Sequence, residues 1–153
     1  MKVPAWLLCC ALFGLTGCGR KPFDATPEGA VREYLERMER VNGEPADARA
    51  AFSLLTRASQ MNLSERAFRA SAATGKRMGP EQMIPPSHFF RRFEPRQWTT
   101  RVQGNRAVVD LIGLDAQTER ASIPCANEDG HWRVELALPP LPPIERRPGS
   151  EPR

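Results

Sequence analysis

The chain has 153 residues, a formal charge of +4, 41% hydrophobic and 26% charged residues, and four cysteines. That length is natural for one domain, and the composition excludes full-length disorder, a collagen and a multi-span membrane protein. Arginine outnumbers lysine 19 to 3, which reflects GC-rich codons rather than chemistry. Four cysteines in a short chain invite a disulfide framework, but their positions argue against one.

Lys2 is followed by a run without charge, residues 3–16. It is shorter than the roughly 20 residues a membrane-spanning helix needs. A positive start, a short apolar core and small residues at its end describe an export signal. The run ends in Leu15-Thr16-Gly17-Cys18, which resembles the lipobox of bacterial lipoproteins. That resemblance implies diacylglycerol on the Cys18 thiol, cleavage before it and acylation of the new amine. Two or more acyl chains hold a protein stably on a bilayer where one does not. Residues 1–17 are then a removed signal peptide, and the protein is anchored in the cell envelope by palmitate-type chains on Cys18. Gly19 stands where inner-membrane lipoproteins of Gram-negative cells commonly carry Asp. Such a source would place the anchor in the outer membrane, facing the periplasm. Cys9 and Cys10 leave with the signal, and Cys125 remains with no intramolecular partner.

Residues 18–25 read as a lipidated tether. Thr26-Pro27-Glu28 then opens a helix: Thr caps, Pro suits the first helical position and the acid suits the positive end of the dipole. Ala30, Val31, Tyr34, Leu35, Met38 and Val41 recur at helical spacing, and Asn42-Gly43 closes the run. A second helix is predicted over Pro45 to Thr56, with Ala48, Ala51, Phe52 and Leu55 as its stripe. A third is predicted over 64–73, opened by Ser64-Glu65 and ended by Gly75, with Ala67, Phe68 and Ala72 on one side. Prolines and glycines make 76–88 a loop.

Strands follow. Residues 97–103 are rich in β formers, Gly104-Asn105 is a turn, and 106–114 and 119–126 are further strands. Asp129-Gly130 leads into 131–138, where Trp132, Val134, Leu136 and Leu138 alternate with His131, Arg133, Glu135 and Ala137. Six of the last fifteen residues are proline, so 139–153 is expected to be a solubilising tail, disordered after its first few residues. Helices before strands give an α+β class over 26–138: three N-terminal helices packed on one face of a curved antiparallel sheet of about four strands.

Gly104-Asn105-Arg106-Ala107-Val108-Val109-Asp110-Leu111 and Glu128-Asp129-Gly130-His131-Trp132-Arg133-Val134 resemble the gly-x-x-ala-x-val strand and the closing hairpin of nuclear-transport-factor-2-like proteins. The resemblance implies a bent sheet around a long first helix, with a pocket at the open end. That fold carries isomerases, dehydratases, binding modules and scaffolds, so it implies no single function.

Inside such a cone the candidate pocket residues are Tyr34, Asp110 and Trp132. Tyr34 lies on the apolar face of the first helix. Asp110 shares strand parity with Val108 and Ile112, and an inward carboxylate there would have a raised pKa and act as a base. His131 is expected opposite Trp132, toward solvent, and His88 sits in the loop. No catalytic motif is matched, so no catalytic residue is assigned. Two distant histidines and one thiol give no metal cluster, and no cofactor is expected. Cys125, in parity with Ala121 and Ile123, is expected to be a buried, inert thiol. Phe89-Phe90-Arg91-Arg92-Phe93-Glu94-Pro95-Arg96 is the densest basic and aromatic run. On an exported protein it points to anionic lipid or a protein, not to nucleic acid. The leading expectation is a membrane-anchored lipoprotein whose domain binds a small ligand or partner protein without catalysis. The alternatives are an isomerase- or dehydratase-type enzyme and a structural envelope component.

Overall fold

The computed structural model describes residues 22–41, 44–84 and 93–143. Cys18, Asn42-Gly43, His88 and the Phe89–Arg92 part of the basic run lie outside them. Three helices precede a four-stranded antiparallel sheet.

Helix α1 spans Pro27–Arg40. The Thr26 hydroxyl accepts the Gly29 N–H at 3.1 Å, so the cap works as its residue types dictate. Glu28–Arg32, Glu33–Arg37 and Glu36–Arg40 are ion pairs one turn apart, each contributing a few tenths of a kcal/mol at about 0.3. Ala30, Val31, Tyr34 and Leu35 form the buried face. Helix α2 spans Pro45–Ser53. Its Asp47 accepts hydrogen bonds from Arg37 at 2.7 Å and Arg40 at 3.1 Å, which ties α2 to α1. Those two bonds hold the Asp47 carboxyl below its ordinary range against the effect of burial.

Helix α3 runs over Arg57–Thr74, two turns longer at its start than the spacing predicts. Its cap is Thr56, whose hydroxyl accepts the Ser59 N–H at 3.3 Å. The Glu128 carboxylate accepts the Arg57 N–H, a negative charge at the positive helix end. The first two turns bury only Ser59 and Leu63, and Met61 is exposed. No apolar stripe therefore announces them. Of the residues predicted to share one side, Ala67 is buried but Phe68 points to solvent, 65% exposed. Within the predicted loop, Pro80–Met83 form a 3-10 turn that delivers Ile84, fully buried, to the core.

The strands are β1 (Gln97–Gln103), β2 (Arg106–Ile112), β3 (Arg120–Glu128) and β4 (His131–Val134), paired in sequence order. Gly104 takes φ +60° in the first hairpin. Asp129 and Gly130 take +55° and +85° in the last, which a two-residue turn between right-twisted strands requires. Ala107, Val109 and Leu111 of β2, Ile123 and Cys125 of β3, and Trp132 and Val134 of β4 meet the buried face of α1 in one core. Among the described residues no helix covers the opposite face of the sheet.

Strand β4 is shorter than the alternation predicts. The chain leaves the sheet after Glu135, whose N–H still reaches Pro124 O at 2.9 Å. Leu136 and Leu138 keep packing against the core, so the alternation persists while the pairing ends. Leu136 N–H donates to Ser59 Oγ at 3.0 Å. Arg66 and Arg69 of α3 then donate to the carbonyls of Pro139 and Pro142. The first five residues of the proline-rich tail are thus laid along α3. Residues 144–153 lie outside the described residues.

The two edges of the sheet differ. Val134 N–H donates to Leu54 O and Val134 O accepts Thr56 N–H, both at 2.9 Å, so the connector between α2 and α3 seals the β4 edge in a parallel bridge. Among the described residues no backbone group pairs with the outer edge of β1.

Candidate functional site

The three candidate pocket residues do not share a pocket. Tyr34 and Trp132 belong to the core, 1% and 8% exposed, and fill the space between α1 and the sheet. Asp110 lies on the other face. Its parity with Val108 and Ile112 holds, but the helices cover the Ala107–Val109–Leu111 side. Its two oxygens are engaged: Arg101 approaches Oδ2 at 2.9 Å and Ser122 donates to Oδ1 at 2.6 Å. A carboxylate held in this way serves as a structural acceptor. Tyr34 and Asp110 cannot act on one molecule, because the sheet separates them.

The outer face is instead shaped by strand alternation. Thr99 and Arg101 of β1, Asp110 and Ile112 of β2, and Arg120 and Ser122 of β3 line an open depression of about 510 Å³. Arg101 is neutralised by Asp110. Arg120 has no acidic partner among the described residues. Two hydroxyls and an uncommitted guanidinium around an open hollow can bind an anionic group on a peptide or small molecule.

A second polar group was hidden from the sequence because it lies in the predicted tether. Asp24, in a 3-10 turn over Phe23–Ala25, is 7% exposed. Arg133 Nη1 lies 2.8 Å and His131 Nδ1 3.0 Å from its Oδ2. Burial pushes the Asp24 carboxyl up, but the hydrogen bonds and charges of Arg133 and His131 outweigh it, so its pKa falls below 3.8. Phe23 O packs so closely on Gly29 that a Cβ there would come within 2.0 Å of it. Phe23–Ala25, predicted as part of the tether, are therefore packed firmly against the start of α1. His131 is on the face opposite Trp132, as its parity predicts, with 52% of its side chain exposed.

Two buried side-chain oxygens have no partner among the described residues, Tyr34 Oη and Thr100 Oγ1. Burial raises the Tyr34 phenol far above its ordinary value. Replacing Tyr34 by Phe removes an unsatisfied hydroxyl from a packed site, so Tyr34→Phe is expected to stabilise the domain by about 1 kcal/mol. Urea unfolding checks this, and a loss of more than that amount would show that the hydroxyl is bonded.

Cys125 is 1% exposed. Burial, and then the charge of Glu135, push its thiol up to about 12. The thiolate is the reactive form, so the native thiol is expected to resist iodoacetamide at neutral pH and to react fully in urea. Rapid labelling of the native protein at Cys125 would contradict that burial.

Among the described residues no group of three His, Cys, Asp or Glu could hold a metal ion, and no helix is long and apolar enough to cross a membrane. In comparison with known proteins, the chain matches no family model, no curated protein and no solved structure.

Proposed function

We propose that the chain is an exported lipoprotein, anchored through an acylated Cys18, whose domain uses the helix-free face of its sheet to bind an anionic group of a partner protein or small ligand without catalysis. The observation that carries the binding half is the depression lined by Thr99, Arg101, Asp110, Arg120 and Ser122. It holds a guanidinium with no acidic partner among the described residues, and the ionisable groups beside it, Arg101 and Asp110, are locked together. Such a site attracts and orients charge but offers no free base.

The anchoring half rests on Leu15-Thr16-Gly17-Cys18 and on how near Cys18 stands in sequence to the packed turn at Phe23–Ala25. Four peptide units link Cys18 to Pro22. Fully extended they reach at most about 14 Å, so an acylated Cys18 would keep the domain close against the headgroups. Metabolic labelling with palmitate, followed by mass spectrometry of the membrane fraction, tests this half. Acyl chains on Cys18 are expected, and Cys18→Ser is expected to remove both label and membrane association. An unmodified Cys18, or cleavage elsewhere, would refute it. For the binding half, a pull-down from membranes with the full chain is compared with Arg120→Glu. Charge reversal is expected to abolish capture while the melting temperature stays unchanged, and equal capture by both proteins would refute the assignment of this face.

A further inference from the structure

The geometry points to the outer edge of β1 as the docking edge for β1 of a second copy of this chain, antiparallel and centred on Thr100. Three observations carry it.

The first is the direction of the backbone groups. Gly104-Asn105 is a two-residue loop joining Gln103 to Arg106, which makes Gln103 and Arg106 a hydrogen-bonded pair. Alternation then assigns Gln97, Thr99, Arg101 and Gln103 to bonding with β2. The N–H and C=O groups of Trp98, Thr100 and Val102 point the other way. The neighbouring strands agree. Asn127 N–H reaches Asn105 O, and Glu135 N–H reaches Pro124 O, so even-numbered residues of β2 face β1 and even-numbered residues of β3 face β4. Among the described residues nothing receives the three outward pairs of β1.

The second is the residue pattern. The strand Gln97-Trp98-Thr99-Thr100-Arg101-Val102-Gln103 begins and ends in Gln and has Thr100 at its centre. A two-fold axis at Thr100 sets Gln97 opposite Gln103, Trp98 opposite Val102 and Thr99 opposite Arg101. Registers centred on a residue, and not between two residues, match outward groups with outward groups. The Thr100 centre alone pairs the whole strand, with about six hydrogen bonds between copies. Trp98 against Val102 is an aromatic–β-branched pair, a stabilising cross-strand combination. Val102 is 57% exposed, and this contact would cover it. Thr100, whose Oγ1 has no partner among the described residues, would lie on the axis beside its own copy.

The third is charge. The two copies of Arg101 are not placed opposite each other, and each is already neutralised by its own Asp110 at 2.9 Å. Natural edges that must stay single are blunted with Lys, Pro or bulges, and Gln97–Gln103 contains neither Lys nor Pro.

The inference does not rest on acylation of Cys18. Its test is the mass of the full chain in mild detergent by sedimentation equilibrium, from about 1 µM to about 1 mM. A two-chain particle is expected, with loss of that particle in Val102→Lys, which adds a charge at an exposed edge position. It is also expected to be lost in Thr100→Pro, which removes an outward N–H that the β1–β2 ladder does not use. Hydrogen exchange on the unmodified chain supplies a reading that needs no variant. The amides of Trp98, Thr100 and Val102 should be protected when the chain is concentrated and exchange freely on dilution. A one-chain particle throughout, or a pair that survives both substitutions, would overturn the proposal. So would protection of these amides by a bound extended peptide in a particle of one chain.

Discussion

A chain that stops at Glu135 is expected to melt about 10–15 °C below the full chain, a loss of roughly 3–4 kcal/mol for a domain of this size. Composition alone makes this segment dispensable, since it leads into a proline-rich tail. Its contacts say otherwise. Leu136 and Leu138 pack against the core and contribute about 1 kcal/mol each for their partial burial. Leu136 N–H satisfies Ser59 Oγ, a buried hydroxyl of α3. Arg66 and Arg69 hold the carbonyls of Pro139 and Pro142, worth together about 1–2 kcal/mol. Helix α3 depends on this strap, since its own inward face buries only Ser59, Leu63 and Ala67. A chain ended at Pro143 keeps every one of these contacts and should melt with the full chain. If the chain ended at Glu135 melts there too, the strap contributes nothing. Thermal unfolding followed by circular dichroism separates the two.

Arg133→Ala is expected to cost about 2–3 kcal/mol, close to the lower end for breaking a buried ion pair, because it leaves a buried carboxylate with a single partner. Asp24 is almost enclosed, and Arg133 provides the shorter of its two contacts. The double variant Asp24→Asn with Arg133→Ala removes the stranded charge and should recover at least about 1 kcal/mol relative to the sum of the single losses. The pH dependence follows from the direction of the shift. The Asp24 carboxyl titrates below 3.8 in the folded chain. Its stabilisation is therefore complete above that value and disappears as the pH falls through the folded pKa. Asp47, lowered by Arg37 and Arg40, contributes in the same window. Asp24→Asn should accordingly lose stability less steeply between about pH 4 and about pH 2 than the parent chain. Identical slopes would show that Asp24 is not paired in solution.

Much of the architecture is legible in the residues. Thr26-Pro27-Glu28 places the start of α1 to the residue, and the two turn pairs place the first and last hairpins, because local chemistry decides those features. The start of α3 is not legible. Thr56 is a good cap, but an apolar period is needed to see a helix, and Met61 and Phe68 face solvent on an element held largely from one side. The end of β4 is hidden for the opposite reason. Leu136 and Leu138 continue the alternation because both enter the core, although the backbone has already left the sheet. Asp110 shows what parity can and cannot supply. Period two puts it with Val108 and Ile112, yet both faces of β2 carry apolar residues, and only the packing of α1 decides which is inside. Asp24 is not legible in the sequence because its partners, His131 and Arg133, are more than a hundred residues away in sequence. No local pattern encodes such a pair.

The seal on β4 also limits what this sheet could build. A sheet with two open edges is a bifunctional monomer: each added copy offers a new edge, and growth runs on toward a fibre. Here Leu54 and Thr56 occupy the backbone of Val134, which leaves the unit monofunctional. An addition at β1 consumes the one reactive edge among the described residues, so the product terminates itself at a finite size.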